Sequence, residues 1–138
     1  CVADYLLGVE GEEYWDAAQV HTVGETIRKH SSRAIWVHFK TPGVKVSPKA
    51  WFASRRGWLG SWATGVSFQY PKRDKVDGFQ AHPADIKYWT RALVPRFHQR
   101  HFTFMAGEYA FRRPESVSRA LGSLALTYGA DSTMNGSY

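Results

Sequence analysis

Residues 34–40, AIWVHFK, restrict the fold more than any other stretch, because Ile35, Val37 and Phe39 alternate with Trp36, His38 and Lys40. A period of two sends successive side chains to opposite faces of a strand, so the Ile35 face must be covered by another layer. VSFQY, residues 66–70, makes the same demand through Val66, Phe68 and Tyr70. Around these strands the chain offers helices. Residues 12–30 space Tyr14, Ala17, Ala18, Val20, Val23 and Ile27 as one face of an amphipathic helix, with acids early and Arg28 and Lys29 late, as the helix dipole favours. Pro83 opens a second helix, which Pro95 is expected to stop. A third runs from Pro114 to about Tyr128, its stripe formed by Val117, Leu121, Leu124 and Tyr128.

Between the first two helices, short strand-like pieces are read near 44–46, 50–54, 58–63 and 65–70, with bends at Gly57, Gly60 and Gly65. TPG at 41–43 reads as a turn and PKRDKVDG at 71–78 as an exposed loop. RHFTFMAGEYAFRR predicts a hairpin about Ala106 and Gly107, with Phe104 opposite Tyr109 and Phe102 opposite Phe111. These elements add up to an α+β class: a single domain over residues 1–138, with a mostly antiparallel sheet and an N-terminal, a middle and a C-terminal helix packed on it. Residues 130–138 read as a frayed tail.

A single cysteine, Cys1, rules out an internal disulfide and any zinc site built on several thiolates. Opening on Cys instead of Met points to a processed product or a fragment. No apolar run approaches the ~20 residues that span a bilayer, so a soluble, intracellular protein is expected.

Charge is unevenly placed. Residues 1–27 hold six acids and no Lys or Arg, whereas all eighteen cations lie between Arg28 and Arg119 with five acids, leaving that stretch at +13. Residues 28–56 carry eight cations and no acid, and their mutual repulsion calls for counterions, the acidic N-terminal segment or a polyanionic partner. Six acids cannot offset thirteen surplus cations.

Within the basic block, KAWFASRRGWLGSW interleaves Trp51, Trp58 and Trp62 with Lys49, Arg55 and Arg56. Taken as a strand, it puts a large ring on the same face as a guanidinium, and Trp36, His38 and Lys40 repeat that pattern. Cations neutralise phosphates while indoles stack on splayed bases, so the expected partner is nucleic acid. Trp36, Lys40, Lys45, Lys49, Trp51, Arg55, Arg56, Trp58, Lys72 and Arg73 are the candidate contacts, joined by Arg112 and Arg113, which precede a helix start in FRRPES. RNA or single strands are favoured, since no helix-turn-helix or zinc-finger pattern is present. The plainer alternative buries the three indoles in the core and leaves the cations as a solvated face.

Histidines supply a second reading: a metal-independent, toxin-like ribonuclease or phosphodiesterase in which outward-facing His38 and His101 exchange protons, with Thr103 beside them and Lys40 or Arg112 stabilising the phosphorane. HFTF offers one His-x-Thr strand motif of the kind that two-histidine phosphoesterases carry in duplicate, but the chain has no matching second copy. His98 and His101 are three apart, yet no second His-rich motif accompanies them and no metal site is assigned. Phosphate loop, nucleophile elbow and dinucleotide fingerprint are all absent, so no cofactor is expected. A third reading is a structural or assembly subunit, homo-oligomeric or docked to another protein through exposed aromatics.

Overall fold

The computed structural model describes residues 4–8, 14–41, 45–73 and 78–134. Along the chain come β1 (Tyr5–Leu7), α1 (Ala17–His30), β2 (Ile35–Lys40), α2 (Pro48–Arg55) with a 3-10 turn at Arg56–Trp58, and β3 (Gly65–Gln69). They are followed by β4 (Phe79–Gln80), α3 (Pro83–His98), β5 (Thr103–Glu108), β6 (Ala110–Phe111), α4 (Glu115–Thr127) and β7 (Ser132–Thr133). The turn expected at 41–43, the start of the strand expected at 44–46 and the middle of the 71–78 loop fall largely outside the described residues.

Five strands form one sheet in the order β1-β2-β3-β5-β7, and each neighbouring pair is parallel. Only β4 and β6 pair antiparallel, as a separate two-stranded ribbon. The class is therefore α/β, which corrects the mostly antiparallel α+β sheet expected from the sequence. Alternation decides which side chains share a face and is silent on which strand lies alongside.

Three segments depart from the expected strands. Residues 50–54 are helical: Ser47 caps α2 by accepting from Ala50 N, and Pro48 occupies the first turn. That turn drives Trp51 into the core, where its ring meets Phe39, Phe68, Trp89 and Phe97 edge-on. Residues 58–63 are not a strand either, but a 3-10 turn followed by a turn closed by Ala63 N on Gly60 O. The supposed hairpin about Ala106 and Gly107 is a single strand, β5. Phe68 faces Ala106 and Gln69 faces Glu108, so Gly107 is the extra residue of a bulge.

A parallel sheet whose order follows the chain, joined by right-handed crossovers, carries its helices on one face. The core bears this out. Ile35, Val37, Phe39, Val66, Phe68, Phe104 and Ala106 are buried with Val20 of α1, Trp51 of α2, Trp89, Leu93 and Phe97 of α3, and Leu121 and Ala125 of α4. The apolar faces read in AIWVHFK and VSFQY are thus buried as expected, but His38, Ser67 and Gln69 on the opposite face are buried as well.

Helix boundaries follow local chemistry. Asp16 and Gln19 form a reciprocal capping box that starts α1 at Ala17. Gly24 lets α1 settle on the β2–β3 connection, since a Cβ there would lie 2.3 Å from the Trp62 ring. The expected stop at Pro95 fails, because α3 continues to His98 and buries Phe97 against Phe52 and Phe104. At the other edge Asp131 accepts from Phe104 N and contacts His98 Nε2, each at 2.7 Å, and Ser132–Thr133 then extends the sheet where a tail was read. No described helix is long and apolar enough to cross a membrane.

Candidate nucleic-acid interface

Parallel strands deliver all their carboxyl ends to one side of the molecule, and the segments leaving β2, β3 and β5 gather there. Those segments hold Lys45 before α2, Lys49 in the first turn of α2, Lys72 and Arg73 after β3, and Arg112 and Arg113 after β6, while Lys40 is the last residue of β2. Seven of the cations singled out from the sequence therefore converge at one end, although they are scattered over more than seventy positions.

On the face away from the helices, the register aligns Lys40 with Gln69 and Gln69 with Glu108. One step deeper, His38 Nδ1 and Ser67 Oγ lie 3.2 Å apart, and Ser67 is fully buried. Gln69 Oε1 is buried without a hydrogen-bond partner among the described residues.

Arg55, Arg56 and Trp58 sit at the opposite, amino end, where α2 finishes. Arg55 stacks on Trp58 with its guanidinium carbon 5.3 Å from the ring centre, and Trp58 in turn packs edge-on against Phe39. Trp51 is 1% exposed, so no base can reach it in this fold, and its place as a stacking ring is withdrawn. Trp36 is half-buried on the same face of β2 as the buried His38, with its Nε1 buried and lacking a partner among the described residues.

The two histidines of the hydrolytic reading are not brought together. His38 is buried in the carboxyl half of β2, whereas His101 is exposed on a left-handed turn (φ 63°) just before the amino end of β5, with Thr103 beside it. The expectation that both imidazoles face outward on the sheet is corrected accordingly. Among the described residues no group of three or more His, Cys, Asp or Glu could hold a metal ion.

Electrostatics separate the two ends. Arg28, Lys29 and His30 close α1, Arg55 closes α2, and Arg96 and His98 close α3. Cations there meet the negative pole of each helix, which accounts for them without a ligand. At the carboxyl end α3 and α4 carry Asp85 and Glu115 in their first turns, as the dipole favours, whereas α2 has no acid there and places Lys49 instead. Lys45, Lys49 and Lys72 are exposed, and none has a carboxylate partner among the described residues. Arg73 differs, since its guanidinium grips both oxygens of Asp85 at 2.5 Å, and its charge is largely matched within the fold. Arg112 lies over the Phe111 ring at 5.3 Å, and Arg113 is half-buried with no partner for Nε among the described residues.

Another ring-and-cation cluster lies on residues that the sequence reading passed over. Tyr88 on α3 is 56% exposed, with Lys87 and Arg91 beside it. A helical projection of ADIKYWTRAL reveals it, because Ile86, Trp89 and Leu93 take the buried side and leave Tyr88 outside. Comparison with protein-family models, with curated proteins and with solved structures returned no match.

Proposed function

We propose that this domain binds nucleic acid through phosphate contacts at the carboxyl end of its parallel sheet, favouring RNA or other single strands, and that it does so without cleaving them. One observation carries this reading: Lys45 and Lys49 stand at the positive pole of α2, exposed and without carboxylate partners among the described residues. An ammonium group at a helix N-terminus opposes the dipole, so the arrangement is unfavourable by itself and becomes favourable when an anion bridges the ammonium and the Lys49 backbone N–H, the one left in a first turn where Pro48 has none and Ala50 N donates to Ser47. Lys72 and Arg112, also exposed, extend the same end. Binding without chemistry is preferred because His38 is buried in mid-sheet, level with Met105, while His101 is exposed two residues before β5 begins and on a different strand.

Fluorescence anisotropy with single-stranded RNA, single-stranded DNA and duplex across a salt series tests this. Affinity for single strands should fall with a log–log slope of about −0.7 per phosphate contact. No binding above that of a neutral control at ~50 mM salt would overturn the proposal.

A further inference from the structure

We infer that Tyr88 is a base-stacking platform, and that the outer face of α3 between Lys87 and Arg91 receives one unpaired base of a single strand together with its phosphate. This rests on the nucleic-acid reading but uses a surface separate from the carboxyl-end lysines.

The first reason is shape. Tyr88 has alanines one helical turn before and after it, Ala84 and Ala92, and together with Lys87 and Arg91 they line a shallow depression of about 440 Å³. Small residues at i−4 and i+4 leave the phenol ring uncovered, so a second planar ring can lie against it. The ring is also steadied from beneath, where it meets Trp89 edge-on with centroids 6.0 Å apart.

The second reason is charge held in place. Arg91 and Lys87 both lie over the Tyr128 ring, at 4.9 Å and 5.9 Å from its centre. That contact with the residue capping α4 restricts two long side chains before any ligand arrives and lowers the entropy lost on binding. Both cations are exposed, and neither has a carboxylate partner among the described residues, so an anionic group is the complementary occupant. Tyr14 and Trp15 are exposed as well, but they follow Glu12 and Glu13 in the sequence and precede α1 with no cation nearby in the chain. An exposed ring flanked by two unmatched cations is what a nucleotide requires: one flat apolar face and one phosphate.

The test measures a short single-stranded oligoribonucleotide carrying a fluorescent purine analogue, with inorganic polyphosphate as a base-free polyanion, against wild type, Tyr88→Ala, Tyr88→Trp and Lys45→Glu/Lys49→Glu. Tyr88→Ala is expected to weaken oligonucleotide binding by roughly 5- to 100-fold and to abolish quenching of the purine. Tyr88→Trp should retain both, and polyphosphate binding should be the same in all three Tyr88 proteins. If wild type binds RNA and Tyr88→Ala binds it equally well, the stacking inference fails while the carboxyl-end reading survives through the Lys45→Glu/Lys49→Glu loss. If Tyr88→Ala loses polyphosphate as much as RNA, or loses self-association and keeps RNA, the ring serves another purpose and the inference is again overturned. Absence of RNA binding by wild type overturns both.

Discussion

Gly107 lies so close to Ser67 that a Cβ on it would fall 2.0 Å from the Ser67 hydroxyl oxygen and 3.1 Å from the Phe68 amide nitrogen. This contact fixes the bulge in β5, and the bulge sets Glu108 opposite Gln69 at the carboxyl end of the sheet. Gly107→Ala should therefore cost about 1–3 kcal/mol, as overpacking of a buried position does. Adding Ser67→Ala removes the nearest atom and leaves the milder approaches of the Phe68 amide nitrogen at 3.1 Å and the residue-67 Cβ at 3.2 Å, so the double variant should be more stable than Gly107→Ala alone. Urea denaturation of the three proteins decides it, and a double variant no more stable than the single one would show that the crowding lies elsewhere.

Arg73 and Asp85 tie the β3–β4 connection to the first turn of α3 through two parallel hydrogen bonds. Asp85 has 6% of its side chain exposed and Arg73 has 49%, so water screens one partner and not the other. Asp85→Ala removes the acid that both matches the guanidinium and complements the helix dipole, with an expected loss of about 1–3 kcal/mol. Arg73→Lys should recover less than wild-type stability because an ammonium cannot repeat the bidentate fork. Thermal unfolding of both variants is the check, and an unchanged midpoint for Asp85→Ala would remove the pair from the account of this connection.

How far the sequence could be read depended on the range of each interaction. The faces of β2 and β3 were legible because alternation is a property of neighbouring residues, and Ile35, Val37, Phe39, Val66 and Phe68 are all buried as it required. Strand partners were not legible, because a parallel neighbour is reached only after an intervening helix. The helix that would have signalled a βαβ unit, α2, was hidden by its aromatic content, although Ser47 and Pro48 carried a start signal that outweighs it. The same helix explains the fate of the Trp51 site: a change of period from two to 3.6 turned that ring from a surface into the core. The convergence of Lys45, Lys72 and Arg112 follows from topology alone, so no local pattern contains it.

Tyr70 donates to or accepts from Thr90 across 2.6 Å in the core, and burial raises its phenol pKa above the ordinary 10.0. Burial likewise raises that of Tyr109. Both groups keep their protons in the folded state at a pH where the unfolded chain has begun to lose them. Their contribution is thus complete below about pH 10 and declines as pH rises above it. Stability measured by denaturant should be flat in this respect at neutral pH and fall on the alkaline side, with phenolate absorbance of these two rings appearing only as the protein unfolds. Tyr70→Phe should make the alkaline decline shallower and, by leaving the buried Thr90 hydroxyl unpaired, cost about 1–3 kcal/mol at neutral pH. Early, non-cooperative ionisation of every tyrosine would contradict the burial of both phenols.

Lys49 sits where a helix prefers an acid, and that conflict separates a binding role from a structural one. If the lysine is there for the fold, Lys49→Glu should destabilise; if it is there for a phosphate, the same change should stabilise the free protein and weaken the complex. The expected result is a gain of about 0.3–1 kcal/mol from the improved interaction with the dipole. It should be accompanied by weaker binding to single-stranded RNA and a salt slope shallower by about 0.7, the loss of one phosphate contact. Arg56→Glu at the other end of α2 provides the contrast, since Arg56 meets the negative pole: its reversal should destabilise slightly and leave the salt slope unchanged. Unfolding curves and salt titrations on the two variants give four signs, and the carboxyl-end site requires stability and affinity to move in opposite directions for Lys49 while only stability moves for Arg56.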